Sequence, residues 1–81
     1  MNEVGELIKQ YRLDNELTQE QFAETLNAVL AIEKVRSHYS RGAVCNWEHG
    51  RSYPDRAIID VLAGSLSSLR GLFKKIQEMT K

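Results

Sequence analysis

The chain has little of what secreted, membrane or fibrous proteins depend on. Its 81 residues include one cysteine, one proline, five glycines, one tryptophan, three tyrosines and two phenylalanines. A single cysteine excludes an internal disulfide and suits a reducing compartment. No apolar run reaches the roughly 18 residues that cross a bilayer. The opening MNEVGELIKQ lacks the basic-then-apolar pattern of a secretory leader. A cytoplasmic location with no membrane partner is therefore expected. Scarce glycine and proline, with 42% hydrophobic residues, argue against disorder. The length accommodates one domain, expected over residues 1–81. A core this small leaves little net stability, so a partner subunit would add to it.

An excess of one charge is also missing, with 11 basic and 11 acidic side chains. That balance does not favour a phosphate-binding partner, but the distribution is uneven. Residues 1–33 set Lys9 and Arg12 against Glu3, Glu6, Asp14, Glu16, Glu20, Glu24 and Glu33, a net of −5. Residues 34–56 set Lys34, Arg36, Arg41, Arg51 and Arg56 against Glu48 and Asp55, a net of +3. Residues 57–81 set Arg70, Lys74, Lys75 and Lys81 against Asp60 and Glu78, a net of +2. Such asymmetry fits a polar partner and equally a solvated face with none.

What is present reads as helix throughout. Val4, Leu7, Ile8 and Tyr11 recur at i, i+3, i+4 and i+7, and Asp14-Asn15-Glu16 interrupts that stripe. Thr18 with Gln21 forms a capping box, and Leu17 stands where it can staple to Phe22. The stripe Phe22, Ala23, Leu26, Val29, Leu30 predicts a second helix to about residue 30. Residues 31–39, AIEKVRSHY, contain neither glycine nor proline and stay open between helix, turn and loop. Ser40 is the next cap signal, Gly50 a C-terminal glycine, and Val44 and Trp47 face inward between them. Gly42 in that first turn costs about 1 kcal/mol relative to alanine. Asp55 is expected to cap a fourth helix with Ile58, Ile59, Val61 and Leu62 in the core. Gly64-Ser65 marks a break, and Leu69, Leu72, Phe73, Ile76 and Met79 form a last amphipathic stripe. That stripe completes a monomer core or pairs two subunits, with some use in self-association favoured. Five helices and an all-α class are expected.

The pieces IKQYR, LTQEQFAETL, SRGAVCNWEHGRSYPD and IIDVLA, in this order from Leu7 to Ala63, resemble the Cro/CI-type (XRE) helix-turn-helix family. The resemblance implies a five-helix lambda-repressor-like domain that binds double-stranded DNA, often as a homodimer in phage or mobile-element regulation. It puts Ser40, Arg41, Gly42 and Asn46 on a recognition helix that meets bases. Arginine pairs with guanine and asparagine with adenine, each worth about 1–3 kcal/mol of discrimination. Gln19, Arg51 and Tyr53 fall at phosphate-contacting positions, Gln19 at a helix start that attracts anions. Arg12 and Glu48 match a pair that forms a structural salt bridge between the first and third helices. One departure is large. Relatives join the second and third helices by a turn of about four residues, whereas Thr18 and Trp47 here stand 29 positions apart. The alignment implies an insertion of about 11 residues around 28–38, measured against that short turn. It leaves Lys34, Arg36 and His38 free for phosphate or a protein partner.

Other chemistry is sparse. Cys45 and His49 lie four apart on one helix, and His38 joins them only if the inserted loop folds back. Tetrahedral zinc wants four ligands, so no metal site is expected, and no cofactor. Cys45 and His49 have no evident orienting group, so an enzyme is not expected either. The main alternative to a DNA-binding regulator keeps the fold but binds a partner repressor, as an antirepressor does. Zero net charge, the acidic first third and the insertion favour it, whereas Arg41, Asn46 and Arg51 stand against it. An antitoxin combining both activities is a third reading.

Overall fold

A computed structural model describes residues 3–80. Five helices run in the order α1 (Glu3–Asp14), α2 (Gln19–Ile32), α3 (Arg41–Glu48), α4 (Arg56–Gly64) and α5 (Arg70–Met79). No strand occurs among the described residues, and no helix there is long and apolar enough to cross a membrane.

The helix ends are set by local chemistry. Thr18 accepts a hydrogen bond from the Gln21 amide at 3.0 Å, and its own amide donates to Gln21 Oε1 at 2.9 Å. Both halves of the capping box therefore form. Ser40 caps α3 through the Ala43 amide at 3.4 Å. Asp55 occupies the cap position of α4 but makes no side-chain cap hydrogen bond, a correction to the expectation. Three helices end alike, each with one residue in the left-handed region: Glu16 (φ 55°), Lys34 (φ 61°) and Gly50 (φ 74°). In each, two following amides reach back to the last turn, as with Val35 to Leu30 O at 2.9 Å and Arg51 to Asn46 O at 2.9 Å.

One core joins all five helices. Val4, Ile8, Phe22, Leu26, Leu30, Val44, Trp47, Ile59, Leu62 and Phe73 are among its buried members. Leu7, Tyr11, Leu17 and Val61 pack on it half-buried. α4 and α5 pack together most extensively, and α3 packs on both α1 and α2. The α5 stripe faces inward, with Leu69, Leu72, Phe73 and Ile76 all buried and only Met79 exposed. Self-association through α5 would therefore have only Met79 of that stripe to use.

The open segment 31–39 resolves into three parts. α2 continues two residues beyond the expected end, to Ile32. Lys34 then turns the chain, and residues 35–40 run without regular structure into the Ser40 cap. No glycine was needed, because an αL conformation that costs a side-chain residue about 1–2 kcal/mol is carried by the packing around it. Val35 and Tyr39 supply that packing against the core.

Candidate nucleic-acid interface

α3 is held from behind by a junction of three helices. Arg12, in the last turn of α1, donates from Nε to Glu48 Oε2 at 2.8 Å and from Nη2 to Oε1 at 3.1 Å. Its Nη1 donates to the Leu17 carbonyl at 3.0 Å, just before α2 begins. Gln19 Nε2 donates to the same Glu48 carboxylate at 3.2 Å. The Arg12 and Glu48 side chains are 14% and 4% exposed, so the pair is largely dry. Hydrogen bonding to Glu48 raises the Arg12 pKa, burial opposes this, and the Glu48 charge adds to the rise. A forked guanidinium–carboxylate pair fixes direction as well as distance, so the junction sets how α1, α2 and α3 meet.

At 100° per residue, Val44, Trp47 and Glu48 share one side of α3, and Gly42, Asn46 and His49 fall on the other. Burial agrees: Val44 and Trp47 are 0% and 3% exposed. Arg41, Gly42 and His49 are exposed, and Cys45 and Asn46 half-buried. A Cβ built on Gly42 would meet nothing nearer than Ser40 Oγ at 3.5 Å. The core therefore does not demand glycine there, and its bareness opens the surface beside Arg41 and Asn46.

The residues singled out from sequence divide accordingly. Ser40, Arg41, Gly42 and Asn46 come together on the first turns of one partly exposed helix. Lys34 and Arg36 are exposed on the segment entering it, and Arg51 and Tyr53 on the segment leaving it. Among the described residues, none of Lys34, Arg36, Arg41 and Arg51 joins an ion pair. Gln19 differs in posture: its amide is directed to Glu48, and the side chain is half-buried. At the start of α2 the Gln21 amide is also taken, by Thr18, so only the earlier first-turn amides stand outside the cap. Tyr53 borders a separate crevice of about 210 Å³ with Val4, Pro54, Arg56, Ile59 and Thr80.

Two further features carry no clear sequence signal. Asn27 of α2 donates from Nδ2 to the Tyr39 carbonyl at 2.7 Å and accepts from the Tyr39 amide at 2.9 Å. This clamp fastens the chain just before the Ser40 cap. Tyr39 also packs on Trp47, with ring centroids 5.0 Å apart and planes tilted by 59°. Burial pushes the Tyr39 hydroxyl up, the Asp55 charge adds to this, and a hydrogen bond with Ser37 opposes it. Beside the clamp, a groove of about 250 Å³ is lined by Glu20, Ala23, Glu24 and Asn27 of α2 and by His38, Tyr39, Ser40 and Arg41.

Cys45 Sγ lies 3.5 Å from His49 Nδ1, which is also 2.8 Å from the Cys45 carbonyl. No group of three or more His, Cys, Asp or Glu side chains able to hold a metal occurs among the described residues. No protein family's sequence profile matches the chain, and no curated protein or solved structure matches it either.

Proposed function

We propose that this chain is a sequence-specific DNA-binding regulator of transcription, with α2 and α3 as a lambda-repressor-like helix-turn-helix. The observation that carries the reading is the two-sidedness of α3. Val44, Trp47 and Glu48 anchor one side, Gly42, Asn46 and His49 fall on the other, and Arg41 opens the helix, exposed and outside any ion pair. A helix with an exposed arginine at its start and an asparagine on its open side suits base-edge readout in the major groove. The mechanism is binding only, occupying an operator inside the cell, and no catalytic step is involved. A homodimer would set two such helices about 34 Å apart, one turn of DNA.

The test is selection from a random pool of double-stranded DNA by the wild type, Arg41→Ala and Asn46→Ala. The expected result is a motif with wild type that disappears or changes in each variant while all three stay folded. Equal enrichment by all three, or none, would remove base readout through α3.

A second reading rests on Glu20 and Glu24, which line the same groove as Arg41. Negative charge there disfavours phosphate and favours a protein partner such as another repressor. Salt separates the two, since phosphate binding weakens steeply with ionic strength and an apolar interface hardly responds.

A further inference from the structure

The segment between α2 and α3 is longer than a helix-turn-helix needs, and it is not slack. It is fastened in three independent ways. The turn at Lys34 closes with backbone hydrogen bonds from Lys34 to Ala31 O at 3.1 Å and from Val35 to Leu30 O at 2.9 Å. Val35 and Tyr39 pack on the core. The Asn27 amide holds both backbone polar groups of Tyr39. Val35 and Tyr39 face the core, and of the exposed residues between them Arg36 and His38 carry basic side chains. Neither joins an ion pair among the described residues. His38 lines the same groove as Tyr39, Ser40 and Arg41, where Glu20 and Glu24 of α2 oppose a phosphate, so contact falls at its outer rim, and the segment leads directly into the exposed start of α3.

We infer that Val35–Tyr39 is a second DNA-contacting element, which sets Arg36 and His38 on phosphates flanking the bases met from α3. Asn27 is its positioning residue: it touches no DNA but fixes the backbone that carries both side chains. The inference rests on the DNA-binding reading and deepens it. Reach sets its scale. Four residues from Ser40 back to Arg36 span at most about 14 Å. That equals about four base-pair rises of 3.4 Å, so the backbone of Arg36 stands within about four rises of Ser40, and its side chain reaches farther.

The experiment compares the full chain with Arg36→Ala/His38→Ala, with Asn27→Ala, and with all three substitutions combined. The probes are a duplex carrying the motif enriched by the wild type and a random-sequence duplex of equal length. Affinity is read against salt, and protection of the DNA backbone by footprinting. For Arg36→Ala/His38→Ala the expected result is weaker binding to both duplexes alike, with the enriched motif unchanged. The salt slope should become less negative by about 0.9 for each phosphate no longer neutralised. The footprint should shorten at its outer edge. Asn27→Ala should weaken binding in the wild-type background and add nothing to Arg36→Ala/His38→Ala, a coupling that a merely structural role would not produce. Should Asn27→Ala fail to fold, the Arg36→Ala/His38→Ala variant decides alone, because both side chains are exposed. Unchanged slope and footprint in that variant would overturn this inference and leave readout through α3 standing. Failure of the wild type to bind either duplex would overturn both.

Discussion

The two ends of α2 are fastened to α3 by different chemistry. At its start, a largely buried ion pair and the Gln19 amide tie α1, α2 and α3 at one carboxylate. At its end, neutral interactions do the same work: a left-handed lysine, one asparagine clamp and a tilted aromatic pair. The difference is energetic as well as geometric. A buried charge left without its partner costs several kcal/mol, whereas breaking a neutral hydrogen bond costs much less. The first end is thus a rigid hinge pin for α3, and the second can loosen without unfolding the domain.

The largest expected effect comes from breaking the charged end. Glu48→Ala strands the Arg12 guanidinium and should lower stability by about 3–5 kcal/mol. The double variant Arg12→Met/Glu48→Leu should recover most of that loss in thermal unfolding. A cost below about 1 kcal/mol for Glu48→Ala, the scale of an exposed pair, would mean the junction is not what fixes α3.

At the neutral end, Asn27→Ala leaves the Tyr39 amide and carbonyl without their partner. The expected loss is about 2 kcal/mol. Hydrogen exchange should quicken over residues 35–40, while protection in α3, α4 and α5 holds. Uniform loss of protection would show that the two ends are one cooperative unit.

Backbone strain sharpens the comparison further. Lys34→Gly relieves an αL side-chain residue and should raise stability by about 1 kcal/mol. Gly50→Ala at the corresponding turn after α3 should lower it by about 1–2 kcal/mol. Denaturant midpoints of both variants test this; equal signs would contradict it.

The smallest effect is a pH dependence from Tyr39. Its pKa is raised in the folded chain, first by burial and then by Asp55. Unfolded tyrosine ionises near pH 10, so above that value the unfolded chain releases this proton first. The Tyr39 contribution is therefore complete below about pH 10 and lost as pH rises through the folded value. Tyr39→Phe should flatten the alkaline fall in urea stability, and an unchanged slope would count against the burial argument.

These ends also differ in how far they could be read from sequence. The Thr18–Gln21 box and the Ser40 cap are local signals, three residues apart at most, and both form as read. The inward face of α3 was legible for the same reason, since helical periodicity alone sorts Val44 and Trp47 from Gly42 and Asn46. The connection from α2 to α3 was not legible. Lys34 adopts the turn that glycine ordinarily marks, and Asn27 reaches across 12 positions to Tyr39. The posture of Gln19 was hidden too, because it depends on a Glu48 oxygen contributed by another helix. Asp55 shows the converse, a good cap residue in the right place that makes no cap.

The most direct test of DNA binding through α3 is a map of backbone amide shifts as duplex DNA is added to the folded chain. The largest changes are expected at Ser40–Asn46, with further changes at Arg36–Tyr39, at the start of α2 and at Arg51, and little change in α5. Changes centred on α1 and α5 instead, or none at concentrations where other polyanions bind, would contradict it.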